Sequence, residues 1–309
     1  NPHLQSIIPT RARRVRLPQR TRACIQTRDN DQLWVDQLDD KRGPVVIILH
    51  GLGGNSDSQY IRGMQAKFHG AGWNTWAWNA RGALKPNLRP DTYHGGRHED
   101  VEDLVRAANR PVAVIGFSLG AAMLINLLGR DSCPSAVKAA VAISCPFDFV
   151  QNARHLDGPS AVVYRRYLLG QLRKLTNQKR EWALRHGHPW ANRLPSKEAL
   201  NQLTRFCDFD DQVTAPLNGF NDAMDLYHSV DPGRVVANIQ VPTLTIQADD
   251  DPLFIRPRAP SNTLPKSLSL ELTSGGGHVG FVQGRWPWNA EFYAETRALE
   301  FVGAQLERT

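Results

Sequence analysis

Ser118 stands in Gly116-Phe117-Ser118-Leu119-Gly120, a G-x-S-x-G pattern. A serine of this kind sits on a strained strand-to-helix turn, where backbones pass too closely for flanking side chains, hence the glycines. The flanks suit that turn: residues 112–115 read as an apolar strand and residues 121–128 as an apolar helix. A hydroxyl so exposed can attack an acyl carbonyl if a base removes its proton. Histidine titrates near neutral pH and is the natural base. Of the ten histidines, His278 follows the last strand-like segment, residues 268–272, in the run Gly275-Gly276-Gly277-His278.

Two further groups complete such chemistry. An acid must hold the imidazole tautomer and stabilise the imidazolium. The strand-like residues 241–247 end in Ala248-Asp249-Asp250-Asp251-Pro252, so three aspartates compete. A G-x-x-D frame with Ala248 at the glycine position favours Asp251, with Asp250 the alternative. Backbone N–H groups must also face the oxyanion of a tetrahedral intermediate. Leu119 follows the nucleophile, and Leu52 lies in His50-Gly51-Leu52-Gly53-Gly54, directly after a buried strand; these two are the candidate donors. His50 reads as an orienting residue rather than a base. His94 and His98 have an i,i+4 spacing, but Gly95 and Gly96 lie between them without a carboxylate–histidine motif, so no metal is expected.

The elements that must position these residues alternate between strand and helix periods, the mark of an α/β class. Residues 23–28 and 33–38 flank Asp29-Asn30-Asp31 as a hairpin. Strands follow at 45–49, 73–78, 112–115, 137–143, 241–246 and 268–272. Ile61, Met64, Phe68 and Ala71 recur at helical spacing, as do Val101, Leu104, Val105 and Ala108. Phe292, Leu299, Val302 and Leu306 mark a last amphipathic helix. From 146 to 238 no buried strand is apparent, and Tyr164, Leu168, Leu172 and Leu175 share one helical face. The expectation is a core of residues 1–145 and 239–309 with a helical lid at 146–238.

The 309 residues are 41% hydrophobic and 22% charged, enough for a large core. No apolar run reaches the 18 or more residues of a membrane span. The net charge of +7 is concentrated in Arg11, Arg13, Arg14, Arg16, Arg20 and Arg22. No aromatics interleave with them and no nucleic-acid motif is present, so nucleic acid is not an expected partner. A solvated arm is the first expectation, and a weak contact with an anionic membrane surface the second. Cys24, Cys133, Cys145 and Cys207 form no C-x-x-C pair, which fits a reduced cytoplasmic compartment, membrane-peripheral if the arm docks.

These motifs in this order resemble the α/β-hydrolase superfamily, and more narrowly its YheT-like branch. The narrower resemblance rests on Asn1-Pro2-His3-Leu4-Gln5, Tyr93-His94-Gly95-Gly96 with Glu99-Asp100, Phe209-Asp210, Gly219-Phe220-Asn221-Asp222 and Gly276-Gly277-His278-Val279-Gly280-Phe281. It implies a mostly parallel sheet flanked by helices and a triad of Ser118, Asp251 and His278. It also implies hydrolysis of a small-molecule or lipid ester with no cofactor. Ala80 in Asn79-Ala80-Arg81-Gly82 departs from the bulkier residue usual there, and residues 151–203 show the least resemblance. Two rival functions share the pattern: an acyltransferase on the same triad, and a non-catalytic ligand-binding protein of this fold.

Overall fold

The computed structural model describes residues 2–6, 13–39, 43–255, 260, 264–284 and 290–306. Its centre is an eight-stranded sheet in the order β1-β2-β4-β3-β5-β6-β7-β8. The strands are β1 (Thr21–Gln26), β2 (Gln32–Leu38), β3 (Val45–Leu49), β4 (Asn74–Asn79), β5 (Val112–Phe117), β6 (Val137–Ile143), β7 (Thr243–Ala248) and β8 (Leu268–Thr273). The pairs β1–β2 and β2–β4 are antiparallel, and all other neighbours are parallel. The fold is therefore the expected α/β-hydrolase arrangement, a mostly parallel sheet flanked by helices.

Both faces of β3 and β5 are buried, so their sequences are apolar without alternation, as strands of a covered parallel sheet must be. Alternate residues serve opposite layers. Val45, Ile47 and Leu49 join one core cluster with helices His98–Ala108 and Leu119–Leu128. Val46 and Ile48 join the other with helices Gln59–Gly70 and Tyr293–Leu306. Three local expectations shift, the first being β1, which runs Thr21–Gln26 rather than 23–28. Phe292 pairs with Val282 in a short strand, and the last helix begins only at Tyr293. Strand β7 starts at Thr243, after Pro242, which has no N–H for a ladder.

Between β6 and β7 the described chain is helical, dominated by the 24-residue helix Val162–Arg185. Its apolar face forms a separate cluster with Leu194, Leu200, Phe206 and Phe209. Buried Lys179 fastens this helix to the core, donating to the carbonyls of Pro90 (2.8 Å) and Asp91 (2.6 Å). Burial pushes its ammonium down from 10.5 to about 7. A neutral amine keeps two N–H donors, enough for both carbonyls. A base depressed on folding contributes stability that is present above its unfolded value and lost as pH falls through the folded one. Wild type should therefore gain stability relative to Lys179→Met between about pH 7 and 10.5, by a few kcal/mol at most. Urea unfolding of both proteins at pH 6.5 and 9.5 checks it (~3 pH units apart); parallel changes would refute the assignment.

The arginine-rich segment is not the free arm expected. Arg13 makes a bidentate pair with Glu295 and lies over the Phe292 ring; Arg20 pairs with Asp57, and Arg22 with Asp36. Arg14 and Arg16 are exposed, and Arg11 lies outside the described residues. No helix among the described residues is long and apolar enough to cross a membrane. The four cysteines are free thiols.

Candidate active site

Ser118 follows β5 with φ 52° and ψ −116°, a backbone conformation that costs about 1–3 kcal/mol for a non-glycine residue. The surroundings impose it. The Ser118 N–H donates to the Ile143 carbonyl (2.9 Å), and its own carbonyl accepts from Ala122 N–H (3.1 Å). A Cβ on Gly120 would lie 2.6 Å from the His50 carbonyl oxygen, and one on Gly116 would lie 2.5 Å from that of Gly120. Both contacts are with backbone, so neither position accepts a side chain without shifting the main chain of the elbow.

The structure brings the three sequence candidates together. Ser118 Oγ is 2.9 Å from His278 Nε2, and His278 Nδ1 is 2.8 Å from Asp251 Oδ2. The other oxygen of Asp251 accepts from Leu253 N–H (2.8 Å), and its side chain is buried. This geometry fixes the imidazole with Nδ1–H donating to the acid and Nε2 facing the serine hydroxyl. Phe254 meets the ring edge-on at 4.9 Å, screening it from water. Asp250 lies apart from the imidazole: its Oδ1 accepts from Gly277 N–H (2.9 Å), bracing the loop that carries His278.

Leu119 opens its helix, so its N–H has no intrahelical partner. Around Leu52 the neighbouring amides are occupied: Gly51 N–H donates to Tyr60 Oη, Gly53 N–H to Tyr93 Oη, and Gly54 N–H to the Gly51 carbonyl. The Leu52 and Leu119 amides meet no acceptor among the described residues. His50 does not approach the serine as a base. Its Nδ1–H donates to the Gly51 carbonyl (2.7 Å), and Nε2 accepts from Ala80 N–H (3.0 Å). Burial depresses it to about 4, so it stays neutral and holds the loop. His94 accepts from Gly96 N–H on Nδ1, and burial depresses it to about 3.

Ser118 and His278 open onto a cavity of about 640 Å³, walled by Leu52, Phe149, Leu168, Leu172 and Phe206. Several contributors have no role legible from the sequence alone, although Tyr93 and Arg81 lie in the motifs quoted above. Tyr60 and Tyr93 shape the glycine loop, and Ser144 donates to the His278 carbonyl. Arg81, buried among Asp29, Asp31, Asp91 and Asp100, ties the β1–β2 turn to the loop after β4. The Asn-Asp run and the Arg-Gly pair were visible, but their convergence across about 50 to 70 residues was not.

A serine–imidazole–carboxylate chain on a strand-to-helix elbow of a mostly parallel sheet is the equipment of the α/β hydrolases. The chain belongs to the α/β hydrolase fold family, whose model matches residues 44–284. Within that family it is YheT-like: it is 33% identical over 272 residues to YheT of Escherichia coli K12, covering 85% of this chain and 78% of the relative. It is also 26% identical over 306 residues to phospholipase ABHD3 of Bos taurus, covering 92% and 71%. The structure of an esterase from Pyrococcus furiosus superposes with a TM-score of 0.60 at 19% identity, over 93% of this chain and 91% of that one. That last likeness speaks for the fold alone.

Proposed function

We propose that this chain hydrolyses carboxylic esters through an acyl-enzyme. Ser118 Oγ attacks the ester carbonyl carbon while His278 Nε2 takes its proton, and the carbonyl oxygen becomes an oxyanion facing the Leu52 and Leu119 amides. Collapse of the intermediate expels the alcohol, which leaves with the proton from Nε2. Water then attacks the acyl-serine, giving its proton to the same nitrogen, and the carboxylic acid departs as Ser118 is reprotonated. Asp251 holds the imidazole tautomer and balances the imidazolium in both steps. Residues 146–238 serve as a lid over a core of 1–145 and 239–309, and the apolar cavity beneath receives the acyl chain. The observation that carries this reading is the unbroken chain of hydrogen bonds from Ser118 through His278 to Asp251. Membership of a family that includes a phospholipase supports a lipid or other acyl ester as substrate.

A fluorophosphonate should attach one adduct to the wild-type protein and none to Ser118→Ala, read by intact mass. Equal labelling of the two proteins would remove Ser118 from the mechanism.

A further inference from the structure

The run Asn1-Pro2-His3-Leu4-Gln5 and the serine after it play no part in the reaction as derived above, yet residues 2–6 form a helical turn against the loop that carries His278. Ser6 is buried, and its Oγ accepts the backbone N–H of His278 at 2.9 Å while donating to the Pro2 carbonyl at 2.9 Å. The fit is tight on the other side. Gly277 has φ +60°, and a Cβ there would lie 2.6 Å from Ser6 Oγ and 2.7 Å from the Pro2 carbonyl oxygen. The turn is also held from the helical segment, where His3 Nδ1 lies 2.7 Å from Tyr164 Oη and the two rings stack at 5.7 Å.

The backbone of His278 is thus gripped at both ends by hydroxyls from distant parts of the chain, Ser6 on its N–H and Ser144 on its carbonyl. Asp250 grips the preceding amide. The imidazole itself is hydrogen-bonded through its two nitrogens, one of which must exchange partners during turnover, and Phe254 packs on the ring without fixing its backbone. The geometry points to Ser6 as a positioning residue that fixes the backbone of His278, making the N-terminal turn part of the active site.

This inference rests on His278 acting as the base. Its mechanism is specific: the acceptor oxygen of Ser6 sets where Nε2 lies relative to Ser118 Oγ, and so governs acylation rather than binding. A displacement of about 1 Å at a reacting group can cost 10²-fold. Ser6→Ala should lower kcat by about 10-fold or more with KM within about 2-fold, and slow fluorophosphonate inactivation in proportion. Ser6→Thr, which keeps the acceptor oxygen, should hold kcat within about 3-fold of wild type.

Steady-state kinetics on one ester, inactivation rates and thermal midpoints are measured for both variants beside wild type and Ser118→Ala. A Ser6→Ala protein with kcat within about 2-fold of wild type overturns the inference. So does a Ser6→Thr protein as slow as Ser6→Ala, which would make side-chain volume the cause. A fall in thermal midpoint that accounts for the lost activity would reduce Ser6 to a structural support, and also overturns it. If instead Ser118→Ala keeps full activity, the proposed hydrolase mechanism itself fails, an outcome distinct from any result at Ser6.

Discussion

His278→Ala is expected to lower kcat by about 10⁴-fold or more, with KM little changed. The expectation follows from the local wiring. Nε2 stands 2.9 Å from Ser118 Oγ, and the other histidines near the pocket are committed elsewhere. His50 has both ring nitrogens tied to backbone, and His94 has its Nδ1 engaged by Gly96 N–H while burial makes it a weak base, lowered to about 3. Neither can take over as base. Under the proposed mechanism, binding and the proposed Leu52 and Leu119 donors remain after the substitution, and such groups alone supply a residual rate above that in water. The loss should appear equally in kcat and kcat/KM, because the missing group acts only when the proton moves. Steady-state kinetics on one ester, with circular dichroism to confirm the fold, checks it. A His278→Ala protein within 10²-fold of wild type would require a different base.

The sequence carried the chemistry of this site further than its architecture. Ser118, His278 and the acidic run could be picked out because each sits at the end of a strand, where the polypeptide must turn and where glycines or prolines mark the turning. Strand assignment worked for β3, β5 and β6 because both faces of each are covered, so their residues are almost all apolar, and the valines and isoleucines in such short runs favour a strand over a buried helix. The helical stretch between β6 and β7 was apparent as a lack of strands. Its attachment was not, since it depends on one lysine meeting two carbonyls nearly ninety residues away. The arginine segment misled for a related reason. Charge counted along the chain says nothing of carboxylates folded against it, and Glu295 and Asp36 neutralise what looks like a basic arm. The supports of His278 are the extreme case: Ser6 and Ser144 are single hydroxyls, of a residue type common on any surface, with no spacing to mark them.

The acidic run gives the second large effect. Asp250 and Asp251 are adjacent, and the backbone sends their carboxylates to different partners: Asp251 to His278 Nδ1 at 2.8 Å, Asp250 to Gly277 N–H at 2.9 Å. Asp251→Asn keeps the shape but presents the imidazole with an amide. If the amide nitrogen turns toward Nδ1, it donates, and the histidine shifts its proton to Nε2, where it cannot accept from Ser118. If the amide oxygen turns there, the tautomer survives but the negative charge that balances the imidazolium is gone. Either way kcat should fall by about 10²-fold or more, and a loss near 10⁴-fold is known for the equivalent change in a serine protease. Asp250→Asn is different in kind. The amide oxygen still accepts the Gly277 N–H, so the loop stays braced and kcat should remain within about 3-fold of wild type. Asp250→Ala removes that acceptor and should fall between the two. The three variants assayed on one ester, with their thermal midpoints, give an order that depends only on which carboxylate faces the imidazole. An Asp250→Asn protein slower than a folded Asp251→Asn protein would transfer the acid's role to the neighbouring residue.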